Sequence, residues 1–91
     1  MKVYLECWWF GKRTICLEVD NATPDMTIND LLVIYFNKVI LPSGPNTNMN
    51  IALGKMGLCG KNDFMYDKSK KLSFYNIQDG AAFTVLAGFS Y

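Results

Sequence analysis

The sequence predicts an α+β domain, one mixed sheet packed on one helix, with elements in the order ββαβ(β)β. Three observations lead to that class. The chain opens with two runs of apolar and polar alternation joined by a glycine turn. A capped run of helical period follows, and a short β-branched and aromatic run lies near the end.

In the first run Val3, Leu5 and Cys7 share one face, and Lys2, Tyr4, Glu6 and Trp8 share the other, which is the period of a half-buried strand. Phe10-Gly11-Lys12 supplies the turn. Ile15, Leu17 and Val19 then alternate with Thr14, Cys16 and Glu18, completing a hairpin. This parity puts Cys7 inward and Cys16 outward, so the two are expected to remain unbridged. Residues 20–25 have loop composition, and Asn21-Ala22-Thr23 is read there as a turn rather than a glycosylation acceptor. Thr27 is a good N-cap, and Asp30 three residues later puts a carboxylate at the positive end of the following helix. Ile28, Leu31, Ile34 and Tyr35 recur at helical spacing, predicting a helix from Ile28 to about Val39 that ends before Pro42. The polar stretch 43–50 is a loop. Residues 49–61 read as a weaker strand interrupted by Gly54, Gly57 and Gly60, with a further short strand at Phe64-Met65-Tyr66. Leu72–Ile77 is long enough for one helical turn, and Ala82–Leu86 forms the last strand. The expected core is Val3, Leu5, Ile15, Leu17, Val19, Ile28, Leu31, Tyr35, Leu72, Ile77, Phe83 and Val85.

The 91 residues make one domain, 1–91, without repeat or linker. Apolar residues make up 51% and charged residues 19%, with a net charge of +1, a globular composition without the basic stripe of an electrostatic nucleic-acid binder. The chain has no histidine, which removes Ser-His and Cys-His nucleophile pairs and His-ligated metals. No pair among Cys7, Cys16 and Cys59 has C-x-x-C spacing, so neither zinc nor another cofactor is expected, and three free thiols in a reducing compartment are. The longest uncharged apolar run, Leu31–Phe36, is six residues, far short of the roughly 20 that span a membrane. No secretion signal opens the chain, so the expected location is intracellular, cytoplasmic or nuclear. Asp63 and Asp67 read as solvated acids, and Lys68, Lys70 and Lys71 as a charged, exposed loop. Gly54-Lys55-Met56-Gly57 matches the G-x-x-G clamp of KH domains, but those need several helices and only one is predicted. No paired acids or nucleophile motif stands out, and the chain is expected not to be an enzyme.

Three stretches carry a family resemblance. Gly11-Lys12 followed by Thr14-Ile15-Cys16-Leu17-Glu18-Val19 resembles the second strand of the ubiquitin family, G-K-T-I-T-L-E-V, with Arg13 as an extra residue. Thr27-Ile28-Asn29-Asp30-Leu31 is similar to the start of its helix, T-I-E-N-V. Leu72-Ser73-Phe74-Tyr75-Asn76-Ile77-Gln78 resembles L-S-D-Y-N-I-Q, the most specific of the three. The resemblance implies a ubiquitin-like β-grasp, in which the sheet wraps the helix. It also implies that the Tyr75 hydroxyl pins the preceding loop, residues 63–70, through a backbone hydrogen bond.

The departures from the family shape the functional expectation. The family ends in R-L-R-G-G, whose carboxylate is activated and joined to lysines, whereas the matching stretch here runs Val85-Leu86-Ala87-Gly88-Phe89-Ser90-Tyr91. The expected function is therefore a non-conjugated protein-interaction module, a subunit of a larger complex with protein partners, no membrane and no small-molecule substrate. One alternative is a modifier whose processed C-terminus is not represented in this sequence. Another is a subunit of a ribonucleoprotein particle, meeting RNA only indirectly. Ubiquitin-like proteins of such a particle carry D-x-K-K-L-x-x-Y-x-I, and residues 67–77 read similarly with one residue inserted. By resemblance, the partner-binding residues are Trp8 or Trp9 with Thr84 and Leu86 in one patch and Tyr4 in a second. The third-strand member is left open, with Gly57 as one position for it.

Overall fold

The computed structural model describes residues 1–9, 11–43, 48–60 and 64–87. It is a small α+β domain with a mixed four-stranded sheet and a helix, as the alternation and the helical period predict. The strands are β1 (Val3–Trp9), β2 (Lys12–Val19), β3 (Met56–Cys59) and β4 (Ala81–Ala87), in the spatial order β2-β1-β4-β3. β1 runs antiparallel to β2 and parallel to β4, and β3 runs antiparallel to β4. Val3 and Leu5 on β1 and Phe83 on β4 are almost wholly buried and meet Ile28, Leu31 and Leu32 from helix α1 (Ile28–Tyr35).

Beyond Tyr35 the helix widens into a π-helical turn, Phe36–Ile40, and then a 3₁₀ turn, Leu41–Ser43, that contains Pro42. The helical run thus passes the expected stop at Val39. The wider turn gives Phe36 and Ile40 buried positions in the core. The weak strand expected over 49–61 is two elements. Met49–Gly54 is a short helix, α2, started by the Asn48 side chain, which accepts a hydrogen bond from the Asn50 N–H at 2.8 Å. Only Met56–Cys59 is strand, and all four of its residues are buried. The strand expected at Phe64–Tyr66 is reduced to a single bridge between Met65 and Cys59, while the predicted helical turn is present as the 3₁₀ turn Leu72–Tyr75.

The hairpin parity is corrected by a β-bulge. Leu5 pairs with Leu17, but Glu6 pairs with Ile15, so Cys16 is an extra residue on β2. Leu17 and Cys16 both pack against the core, and Ile15 is turned out at 53% exposure instead of entering the core. The same inversion brings Cys16 to Cys7. Their Cα atoms lie 6.2 Å apart and the pair is a disulfide, against the expectation from simple alternation. Cys59 is buried and is not part of a disulfide. Leu17 and Ile77 line the core rather than fill it, and Phe36, Ile40, Ala52, Met56 and Leu58 join it.

Residues 67–71 hold the helix in place. At the α1 N-terminus the Ile28 N–H donates to the Lys70 carbonyl (3.0 Å) and the Asn29 N–H to the Lys68 carbonyl (3.0 Å). The Asp30 N–H donates to the Thr27 hydroxyl (3.1 Å), the Leu31 N–H to the Thr27 carbonyl (3.4 Å), and the Thr27 N–H to the Asp30 carboxylate (2.9 Å). All four N–H groups that a helix start leaves over are thereby satisfied. The Tyr75 hydroxyl accepts the Asp67 N–H at 2.9 Å, which is the tether implied by the family resemblance. The Asp67 carboxylate accepts from the Ser69 hydroxyl (2.7 Å) and N–H (2.9 Å), so Asp67 organises the turn rather than standing as an idle surface acid.

Three outcomes follow for stability. Leu5→Ala should cost about 2–5 kcal/mol in a denaturant titration, while Ile15→Ala should stay within about 0.5 kcal/mol; equal losses would contradict the bulge. Tyr75→Phe should cost about 0.5–1.5 kcal/mol and speed amide exchange at Asp67. The Ser69 hydroxyl, with its N–H and the nearby Lys70 charge adding, holds the Asp67 carboxyl below its ordinary value of 3.8. Its contribution is therefore complete above 3.8 and disappears as the pH falls through the lowered folded-state value. The stability gap between the wild type and Asp67→Asn should be flat near neutral pH and close in acid.

Candidate functional site

The face of the sheet turned away from α1 is built by the strand register. Tyr4 lies between Glu18 and Ala82, forming one row across β2, β1 and β4. The next row crosses all four strands as Ile15, Glu6, Thr84 and Cys59. Leu86 is paired with Gly57 beyond it. A Cβ at Gly57 would sit 2.7 Å from the Met65 methyl, so this glycine makes room for Met65 to lie across β3 beside Leu86. Met65 Sδ is also 3.0 Å from Cys59 Sγ. The apolar side chains shown to solvent here are Ile15 at one edge and Leu86 (38% exposed) with Met65 (50%) toward the other.

Between them lies a recess of about 290 Å³ lined by Glu6, Arg13, Cys59, Ala82 and Thr84, with Gly80, Ala81 and Gly60 completing its wall. Gly60, Gly80, Ala81 and Ala82 bring little side-chain bulk to its wall. Among the described residues, neither an ion pair nor a hydrogen bond is made by the Glu6 carboxylate. Lys2, at the start of β1, is instead turned to Asp20 (3.5 Å) and Glu18 (3.7 Å), and the charges of Asp20, then Glu18, raise its pKa.

The expected partner-binding residues divide. Tyr4 is half-buried on this face and Leu86 is exposed on it. Thr84 shares the face but is only 6% exposed, so it forms the floor of the recess and not a projecting contact. The β1 backbone carries Trp8 and Trp9 to the hairpin end, opposite Arg13 and Lys12; their side chains lie outside the described residues. Tyr4, Thr84 and Leu86 thus lie on one face of the sheet. Sequence reading missed Glu6, Ile15 and Met65. Gly57 was the one local signal for Met65, because a strand glycine marks close approach, whereas Ile15 is exposed by the bulge.

The three lysines expected to form a charged loop go separate ways. Lys68 is half-buried and its Nζ donates to the carbonyls of Leu53 (2.8 Å) and Met56 (3.0 Å), joining α2 to β3. Lys71 pairs with Asp25 at 3.7 Å, and Lys70 lies 4.9 Å from the centre of the Phe74 ring. The burial of Tyr66, which stacks edge-on with Tyr75 and Phe83, raises its phenol pKa, with Tyr75 adding to the effect. Among the described residues no group of three or more His, Cys, Asp or Glu side chains is placed to hold a metal ion. Nor is any helix among them long and apolar enough to cross a membrane. No protein-family model matches the chain, and a search of curated proteins finds no match.

Proposed function

We propose that this chain is a ubiquitin-like β-grasp domain that works as a non-conjugated protein-interaction module, a non-catalytic subunit of a larger complex. The observation that supports this reading most is the outer sheet face, where Tyr4, Ile15, Leu86 and Met65 offer apolar area around a recess. Aromatic and aliphatic groups grouped on one surface are typical anchors of protein interfaces. The strand order, with parallel β1 and β4 at the centre, and the Tyr75 tether are both consistent with a β-grasp. The reading assigns protein partners, with RNA met only through a particle's other subunits. It places the protein in the cytoplasm or nucleus.

The test is quantitative affinity capture from the source cells, comparing wild type with Tyr4→Ala, Leu86→Asp and the control Lys70→Ala, each checked for folding by circular dichroism. At least one captured protein should fall about five-fold or more with the two face variants, the equivalent of roughly 1 kcal/mol, and hold steady with the control. Isopeptide adducts, or a thioester formed by the 91-residue chain with a ubiquitin-type activating enzyme, would favour the modifier. Capture that vanishes on nuclease treatment would favour the ribonucleoprotein alternative.

A further inference from the structure

We infer that Cys7 and Cys16 are a reversible dithiol–disulfide pair that sets the register of the β1–β2 hairpin and thereby decides whether Ile15 belongs to the outer face. Its consequence for binding rests on the interaction-module reading and specifies how that surface is regulated. Two pairings of the same strands compete. In the structure Leu5 pairs with Leu17, Cys16 is the extra residue, and Glu6 pairs with Ile15, which places Ile15 on the outer face. Without the bulge, Leu5 stays opposite Leu17, Glu6 falls opposite Cys16 and Cys7 opposite Ile15. Ile15, Leu17 and Val19 then share the inward face, which is the plain alternation of the sequence. A slip of one residue turns every side chain of the slipped segment to the other face.

The disulfide belongs to only one of the two pairings. Cys7 shares the inward face of β1 with Leu5, and the bulge brings Cys16 to the same side, packed against the core, with the two Cα atoms 6.2 Å apart. In the regular pairing Cys16 lies outward beside Glu6 while Cys7 stays inward, and no disulfide spans that geometry. A bond made in one state alone shifts the equilibrium toward that state. Here it holds a pairing that leaves Ile15 53% exposed and one residue of β2 outside the ladder. Once the bond is cut, both features favour the slip, which sets Ile15 beside Leu17 and Cys7. Lys12–Ile15 are exposed on both faces of this end of the hairpin, so turning them over withdraws no charge from water. Reduction takes a dithiol. One of its thiolates attacks a sulfur of the Cys7–Cys16 bond, and its second thiolate resolves the mixed disulfide. The dithiol leaves oxidised, and its two electrons and two protons remain on Cys7 and Cys16. In the cytoplasm or nucleus, disulfides are typically transient and redox-sensing.

The experiment compares the intact chain oxidised, reduced with dithiothreitol, carrying Cys16→Ser, and with Cys16 deleted. The deletion removes the bulged residue and leaves Glu6 opposite Ile15 with no disulfide. Alkylation in denaturant should label Cys59 alone in the oxidised chain and all three cysteines after reduction. Cross-strand nuclear Overhauser contacts of Ile15 should run to Glu6 in the oxidised and deleted chains, and to Cys7 in the reduced and Cys16→Ser chains. Proteins that the oxidised chain captures and Leu86→Asp loses should fall at least about five-fold on reduction, and the deleted chain should hold them under the same reductant. If the reduced and Cys16→Ser chains keep Ile15 opposite Glu6, or unfold, or if the oxidised chain labels at Cys7 and Cys16, the inference falls while the interaction-module reading stands on Tyr4 and Leu86. If the register turns but no captured protein depends on Leu86, the interaction-module reading falls and the register switch stands. A turned register that leaves Leu86-dependent capture unchanged overturns the regulation of the face.

Discussion

The closure of the α1 N-terminus by residues 67–71 is the interaction on which the rest of the structure depends. Among the described residues helix α1 is the longest α-helix, and its start leaves N–H groups that the helical hydrogen-bond pattern cannot satisfy. Thr27 and Asp30 answer two of those needs locally. The Lys68 and Lys70 carbonyls answer the others from forty residues further along the chain. The loop must therefore be held firmly, and it is. Tyr75 receives the Asp67 N–H, the Asp67 carboxylate fixes Ser69, and the Leu72 N–H donates to the Met26 carbonyl at 2.8 Å. Lys68 extends the same anchorage to α2 and β3 through its ammonium group.

An aromatic series links this anchorage to the core. Phe83 on β4 meets Tyr66, Tyr66 meets Tyr75, and Tyr75 meets Phe74, with ring centres 5.4, 4.7 and 5.0 Å apart and near-perpendicular planes. The same segment passes Met65 over Gly57 on the outer face. One stretch of chain, residues 64–75, thus seats the helix from one side of the sheet and shapes the proposed binding surface on the other. A change that loosens the Tyr75 tether has a physical route to that surface.

The bulge on β2 performs the comparable task at the opposite edge. By inserting Cys16 between the Leu17 and Ile15 pairings it turns Ile15 outward and brings Cys16 to Cys7. The apolar residue that local alternation assigns to the core becomes part of the face. Thr84 moves the other way, from expected contact to the floor of a recess, because Glu6 and Cys59 flank it in the same row. The proposed surface is consequently a hollow with apolar margins instead of a flat aromatic patch.

What the sequence determined by itself was everything set by neighbours along the chain. The β1–β2 hairpin, the Thr27–Asp30 cap, the turn at Leu72–Tyr75 and strand β4 are all legible, because period and capping act within a few residues. The tertiary structure decided what depends on residues distant in sequence. Residues 49–54 became helix because Asn48 starts a turn that Lys68 closes at the Leu53 carbonyl, a contact invisible in the local pattern. Lys68 proved structural, and Glu6 and Met65 entered the candidate site, only once four strands were laid side by side. The extra residue on β2 reads as ordinary alternation until its partner strand defines the register, since a bulge is a property of two strands and not of one.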